Sequence, residues 1–275
     1  MVESNVISSC LERKIRLVYL TNQYNYKGEI GTTALSKNQL VRQIEFTEKN
    51  RLEMSRLIVD AKTNNQLVFL RRKLNNPKLK DISYMRKKIT QVSKVDEILG
   101  IEGYVSKIYF DLLNNLLPNE FRSIKRSRRP AKDEINSLLN FGYTILYNEI
   151  ISILLSFNLN PFIGFYHKDK LGHASLASDL MEEYRTHIID SLIVKLLNKE
   201  TIKKDMFYRN EDKFYLNKEG RQIFIIEYNK KMEEKNKYLT DRARTNREII
   251  AYQTNKLYRA IEYGDLSVYR PIKIR

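Results

Sequence analysis

The pattern of apolar and polar positions predicts a mainly helical chain with a short β-rich start. Residues 15–20 (IRLVYL) form an apolar, β-favouring run, residues 22–25 are turn-like, and residues 26–30 (YKGEI) are expected to return as a second strand. Beyond them the apolar positions follow helical spacing. We therefore divide the chain into a small β-rich segment, 1–37, and a large helical domain, 38–275.

Within the helical domain, Asn, Pro and Gly residues mark the expected helix ends. Residues 75–77 (NNP) interrupt the first long helical pattern, and a second helix is expected over 84–99. Residues 100–103 (GIEG) punctuate the chain again. Apolar positions over 105–116 then follow helical spacing, and Pro118 ends that helix.

The most apolar part of the chain predicts a helix over 135–157. Asp133 is expected near its start, and Asn158 suits the position just beyond its end. The stretch 135–166 carries a single charged residue, Glu149, so hydropathy alone would permit a membrane span. Its many Asn and Ser residues are costly in lipid, and we expect a helix buried in a protein core, with no membrane partner.

The next predicted helix begins at Ser175, a candidate N-cap. Its apolar residues recur every four positions and mark a core-facing stripe: Leu176, Leu180, Tyr184, Ile188, Leu192 and Leu196. Further on, a short strand is expected over 213–216, a helix from Gly220, and a final basic helix over 240–261.

The net charge of the chain indicates what kind of partner it binds. The 275 residues include 49 Lys and Arg against 33 Asp and Glu, a formal net charge of +16 at pH 7. A field this positive favours an anionic polymer or an anionic surface as the partner. Six of the eleven residues from 122 to 132 are basic: Arg122, Lys125, Arg126, Arg128, Arg129 and Lys132. This clustering favours a binding surface for an anionic partner, and an exposed solubilising loop on a merely soluble basic protein is the alternative.

Cysteine content and the N-terminal residues bear on the compartment. A single cysteine, Cys10, excludes an intrachain disulfide framework and a cysteine-rich zinc site. The first fifteen residues lack the apolar core and the small-residue cleavage site of a secretory signal. We therefore expect a protein of the reducing cytoplasm.

Three features could carry chemistry. Glu102 lies where the helix near Gly103 is expected to begin, so its carboxylate could simply cap and stabilise the helix N-terminus. His167 follows an apolar run, where a hydrogen-bonded core histidine is the more frequent role.

The third feature is a carboxylate cluster formed by Asp179, Glu182 and Glu183. Such a cluster is more often a solvated face than a metal site. A histidine with two carboxylates from separate segments nevertheless suits Mg²⁺ or Mn²⁺. Periodicity cannot choose between Glu182 and Glu183, and it permits a rival pair, Glu183 with His187.

Four blocks of the chain resemble the CRISPR-associated integrase-endonuclease family of spacer acquisition, Cas1. They are residues 100–110 (GIEGYVSKIYF), 126–143 (RSRRPAKDEINSLLNFGY), 159–167 (LNPFIGFYH) and 175–185 (SLASDLMEEYR). Weaker echoes occur at residues 42–43, 61–66, 253 and 269–271. Long blocks in the family's order are far more specific than one short motif.

The resemblance implies a set of roles. Glu102, His167 and Glu182 would be the catalytic residues and would bind Mg²⁺ or Mn²⁺, with Asp179 accessory to them. Arg185 would join the basic segment in DNA binding. A homodimer with a small partner, Cas2, would insert prespacer DNA into the CRISPR repeat by 3′-hydroxyl attack on a phosphodiester.

The resemblance also sets expectations for fold and for alternative functions. It implies a mainly α fold, a large helical catalytic domain preceded by a small β-rich domain that is incomplete here, since 1–37 match only the end of the family's N-terminal domain. That difference favours, as an alternative, a non-catalytic or assembly-deficient DNA-binding scaffold. A related transposon-type integrase is a second enzyme with the same kind of site.

Overall fold

The computed structural model describes residues 2–13, 15, 17–20, 26–31, 36–123, 126–127, 130–237 and 241–274. Over these residues the chain is mainly helical, as the sequence predicts. Its α-helices are α1 (Ser4–Glu12), α2 (Lys37–Arg71), α3 (Lys78–Lys88), α4 (Val95–Asn114), α5 (Glu134–Ser156), α6 (Ser175–Arg185), α7 (Ser191–Asn198), α8 (Lys218–Glu233) and α9 (Asn246–Tyr263). The strands are β1 (Leu17–Leu20), β2 (Tyr26–Ile30), β3 (Phe207–Asn210), β4 (Lys213–Leu216), β5 (Lys235–Asn236) and β6 (Arg244–Thr245).

The N-terminal hairpin is confirmed at both strands. β1 and β2 pair antiparallel with Leu17 opposite Ile30, while the turn expected over 22–25 lies outside the described residues. The preceding helix α1 was not predicted. Its sequence, SNVISSCLE, has few strong helix formers, and none of its residues is buried.

Helix α2 is the spine of the core. Its N-cap Ser36 accepts a hydrogen bond from the Gln39 N–H, and the helix packs against α3, α4, α6 and α9. Because neighbours surround its C-terminal half, even polar side chains are buried there, including Lys62 and Asn65. This half of α2 brings a charged side chain into the interior.

Helix α4 corrects three predictions. It begins after Lys94, so the expected helix over 84–99 is interrupted at 92–94, and it runs straight through Gly100 and Gly103. Two glycines cost a helix about 2 kcal/mol relative to alanines, but the buried stripe that includes Ile98, Ile101 and Val105 offsets this. Glu102 therefore lies inside a helix and not at a helix N-terminus.

Helix α5 matches its prediction closely. The Asp133 carboxylate accepts a hydrogen bond from the Asn136 N–H at the N-terminus, and Asn158 has the positive φ of 56° expected just beyond the end. Among the described residues, α5 is the one helix long and apolar enough to cross a membrane, and 61% of its most apolar window is buried inside the protein. It packs on α6 as a core helix.

The apolar stripe beyond residue 175 is confirmed, but its helix is not regular. All six stripe residues are buried, and a π-helical turn, Thr186–Asp190, joins α6 to α7. A strict four-residue repeat drifts around a helix of 3.6 residues per turn, and the wider π turn takes up part of that drift. Ser175 is the first helical residue and Ala174 the N-cap, because the Ser175 hydroxyl donates to the Phe162 carbonyl instead.

The C-terminal region corrects one further boundary. The strand expected over 213–216 is confirmed as β4, and α8 begins two residues before Gly220. The last helix starts at Asn246, six residues later than expected, because Thr245 and Glu248 form a capping box there. Beyond α9 the chain returns to the core, where Tyr269 is fully buried.

Candidate active site

Three helices and one loop bring acidic, basic and imidazole groups together in the core. Glu102 comes from α4, Glu182 from α6, Lys62 from α2, and His167 from the loop before α6. The Lys62 Nζ lies 2.5 Å from Glu102 Oε1 and 2.9 Å from Glu182 Oε2. Two carboxylates that are 80 residues apart in sequence thus share one ammonium group.

Both carboxylates are held ionised despite their burial. Burial alone would raise the pKa of Glu182, but the Arg185 guanidinium and the Lys62 ammonium lower it well below its usual range. Burial likewise opposes ionisation of Glu102, and Lys62 outweighs it and lowers the pKa. Ionised carboxylates are the form that binds a divalent cation.

Asp179 positions His167. One of its carboxylate oxygens accepts hydrogen bonds from the backbone N–H groups of Phe165 and Tyr166, and the other accepts the His167 N–H at 2.9 Å. The His167 Nδ1 lies 2.7 Å from the same Oδ1, and its Nε2 is 3.9 Å from Glu182 Oε1. A carboxylate on one ring nitrogen directs the other nitrogen into the site, the usual arrangement behind a ligating histidine.

Close backbone contact holds the His167 loop against α6. A Cβ atom on Gly164 would lie 2.6 Å from the Ser175 carbonyl carbon and 2.9 Å from the Asp179 carboxylate. Only glycine fits there without displacing the backbone. The apolar run before His167 is therefore a rigid support for the imidazole.

The acidic cluster is not a solvated face, because Asp179, Glu182 and Glu183 are all nearly fully buried. Glu183 turns away from Glu182, toward the C-terminal segment, where it accepts hydrogen bonds from the Ile272 N–H at 2.8 Å and from the Tyr269 hydroxyl. Glu183 and His187, the rival ligand pair, also have different partners. The His187 Nε2 lies 3.1 Å from the Asn246 side-chain oxygen.

Arg185 supports Glu182 from inside the core. Its Nη1 lies 3.0 Å from Glu182 Oε1, and its guanidinium stacks on the Tyr143 ring with 4.2 Å to the ring centroid. The hydroxyls of Tyr143 and Tyr109 both donate to Asp190 on the π turn. Arg185 is buried, so its expected contact with DNA stays a prediction, while its contact with Glu182 is direct.

The basic segment lies beside α5, where the structure describes part of it. Arg122 and Lys132 are exposed. Arg126 hydrogen-bonds the side chains of Asn136 and Asn140 on α5, at 2.7 and 2.8 Å. Lys125, Arg128 and Arg129 lie outside the described residues, so contact of this segment with DNA remains a prediction.

Lys62 is the residue that sequence reasoning missed. The echo over residues 61–66 contained it, but a lysine within a basic helix gives no indication that it is buried. Its relative exposure is 2%. The available clue was the run of five consecutive polar residues KTNNQ over 62–66, because five residues go more than once around a helix and so place at least one polar side chain on the core side.

The donor set suits a divalent metal ion. Glu102 and Glu182 supply ionised oxygens, and His167 supplies a nitrogen that Asp179 orients. Within the described part of the chain, no three His, Cys, Asp or Glu side chains converge closely enough to form a preassembled site. The Lys62 ammonium lies between the two carboxylates that such an ion would need.

The chain as a whole matches a known family. The family model described as CRISPR associated protein Cas1 matches residues 1–230. The chain is 34% identical to the CRISPR-associated endonuclease Cas1 4 of Methanospirillum hungatei, over 98% of this chain and 77% of that protein. It is also 34% identical to the Cas1 endonuclease of Mycobacterium tuberculosis H37Rv, over 75% of this chain and 63% of that protein.

Solved structures agree with this fold. A CAS1 protein from Thermotoga maritima superposes with a TM-score of 0.84 at 26% identity, over 96% of this chain and 84% of that one. A chain of a Cas6-RT-Cas1–Cas2 complex gives 0.87 at 25% identity, over 99% of this chain and 31% of that one. A casposase bound to its integration product shares the fold, with a TM-score of 0.84 at 23% identity over 96% of this chain and 76% of that one.

The chain belongs to the CRISPR-associated Cas1 family. That assignment confirms the resemblance seen in the four sequence blocks. It also confirms the mainly helical fold with a small β part.

Proposed function

We propose that this chain is a divalent-metal-dependent DNA endonuclease-integrase of CRISPR adaptation. Glu102, Glu182 and His167 would hold Mg²⁺ or Mn²⁺, and Asp179 would orient the imidazole. The observation that carries the proposal is the convergence of Glu102 from α4 and Glu182 from α6 on the Lys62 ammonium, with the Nε2 of His167 3.9 Å from Glu182 Oε1. Residues from three of the four family blocks meet at this point.

The reaction is transfer of a phosphodiester. The 3′-hydroxyl oxygen of the incoming strand bonds to phosphorus, the bond from phosphorus to the departing 3′-oxygen breaks, and the proton of the attacking hydroxyl is released as the departing oxygen gains one. A divalent ion bound at this site would stabilise the charge that develops on the phosphoryl oxygens. The chain itself contributes ionised carboxylates held against α2 and a histidine fixed by its backbone.

DNA, Cas2 and a second copy of this chain are the proposed partners. The net charge of +16 and the exposed Arg122 and Lys132 support phosphate contacts along the basic segment. The solved complex that contains Cas1 and Cas2 supports the Cas2 partner by likeness of fold and sequence. We propose a cytoplasmic location, because DNA is the proposed substrate.

The test is integration of a short duplex with free 3′-hydroxyls into a supercoiled plasmid that carries a CRISPR array. It is run with Cas2 and with Mg²⁺ or Mn²⁺, for the unmodified chain, Glu102→Ala and Glu219→Ala. Glu219 is an exposed glutamate of α8 and serves as the matched control. We expect metal-dependent joining that Glu102→Ala loses by at least about 100-fold, while fluorescence anisotropy shows its DNA affinity retained.

Three results would contradict this proposal. Full joining by Glu102→Ala would remove Glu102 from the site. Tight DNA binding without any joining by the unmodified chain would favour the scaffold. Equal joining to plasmids with and without the repeat would instead favour a transposon-type integrase.

A further inference from the structure

Lys62 is an unusual residue to find at the centre of this site. Its side chain is 3% exposed and makes ion pairs with both Glu102 and Glu182. Glu182 also has the Arg185 guanidinium, at 3.0 Å. Glu102 forms its ion pair with Lys62 and accepts a hydrogen bond from the Ser106 hydroxyl at 2.8 Å.

This arrangement has a clear electrostatic reason. Buried Glu182 and partly buried Glu102 lose hydration and repel each other, so they require a positive charge between them. Lys62 supplies that charge from α2, at the end of a flexible four-carbon stem. An ammonium group has no lone pair, so Lys62 cannot itself be a metal ligand. It can only hold the carboxylates and compete with a metal ion for their oxygens.

We propose that the Lys62 ammonium is an internal counter-ion that exchanges with the divalent cation. It holds Glu102 and Glu182 together before the cation arrives, and it must give up carboxylate oxygens when the cation binds. Its charge therefore lowers the affinity of the site for metal. This inference rests on the proposed function, because it takes Glu102 and Glu182 as the metal ligands.

The alternative role for Lys62 is purely structural. In that case the lysine would only keep the carboxylates in place, and removing it would let them separate. The two roles predict opposite changes in metal affinity. Loss of the counter-ion makes the site more negative and strengthens metal binding, whereas loss of a scaffold weakens it.

The test is a calorimetric titration with Mn²⁺ alone, without DNA, on the full chain. The variants are Lys62→Met, Lys62→Gln, Glu102→Gln and Lys231→Met. Met matches the length of the lysine stem without its charge, and Gln keeps a hydrogen-bond donor in case Lys62→Met fails to fold. Lys231, on α8, is a matched control outside the site. Its Nζ forms an ion pair at 2.7 Å with Glu234, the residue just after that helix.

We expect both Lys62 variants to bind Mn²⁺ at least about tenfold more tightly than the unmodified chain, with Lys231→Met unchanged. Without metal, the Tm of Lys62→Met falls by several degrees, and saturating Mn²⁺ restores it to that of the unmodified chain. Unchanged or weaker Mn²⁺ binding in both Lys62 variants would overturn the exchange. If Glu102→Gln binds Mn²⁺ as well as the unmodified chain does, the metal site is wrong, and the proposed function fails with it.

Discussion

At the scale of single residues, Glu182 and Glu183 show how neighbouring identical side chains acquire different chemistry. Glu182 faces two cations, which keep its pKa low. Burial raises the pKa of Glu183 to about 7, because hydrogen bonds from Tyr269, Ile272 and Gln253 offset only part of the cost. Helical periodicity cannot separate the two. Only the family resemblance pointed to Glu182, and Lys62 was identified by neither argument.

His187 carries a pH-dependent contribution to stability. Burial lowers the pKa of His187 from the usual histidine value of about 6.5 to about 4. Between these values the unfolded chain binds a proton that the folded chain does not, so the free energy of unfolding falls as pH drops from about 6.5 to about 4. By pH 4.5 the loss amounts to about 2–3 kcal/mol.

The measurement is urea unfolding at pH 7 and pH 4.5, for the unmodified chain and for His187→Gln. We expect the unmodified chain to lose about 2–3 kcal/mol more than the variant does over this interval. Glu183 works in the opposite direction, since its raised pKa favours folding as pH falls, but it is present in both chains. Parallel pH profiles for the two chains would show that His187 is not buried in its neutral form.

At the scale of elements, glycines are poor guides to helix ends where tertiary packing stabilises the helix. Gly100 and Gly103 predicted a break, yet α4 continues through both, because its apolar stripe is buried against α2 and α3. The reverse holds at Thr245, where a capping box starts α9 at Asn246, later than the predicted start at 240. Local patterns therefore located most helices and strands, while tertiary contacts and caps set several of their ends.

Two glycines should respond oppositely to alanine. A Cβ at Gly100 has no heavy atom within 4 Å, so Gly100→Ala should stabilise the protein by about 0.5–1 kcal/mol through helix propensity. A Cβ at Gly142 would lie 2.7 Å from Ile189 Cγ2 and 3.0 Å from Phe224 Cζ. Gly142→Ala should therefore destabilise by about 1–3 kcal/mol. Chemical denaturation measures both, and the same sign for the pair would contradict this account of α4 and α5.

At the scale of the whole molecule, the C-terminal segment closes the core behind the site. The Asn65 side chain donates to the Ile272 carbonyl at 3.0 Å and to the Glu183 carbonyl at 2.9 Å, and accepts the Ile274 N–H at 2.8 Å. Gln253 donates to the Arg270 carbonyl at 2.8 Å. These bonds tie α2, α6 and α9 to the chain end. The sequence echoes at 61–66, 253 and 269–271 are therefore parts of one network, which only the folded chain brings together.

That network predicts that the Tyr269 hydroxyl contributes to the stability of the whole fold. Tyr269 is fully buried, and its hydroxyl hydrogen-bonds Glu183, so Tyr269→Phe removes one donor and leaves a buried carboxyl less satisfied. We expect the free energy of unfolding to fall by about 1–3 kcal/mol. Tyr263→Phe, at a side chain that is 71% exposed, should change it by less than about 0.5 kcal/mol. Equal stability for the two variants in urea would mean that the C-terminal segment does not hold the helices together.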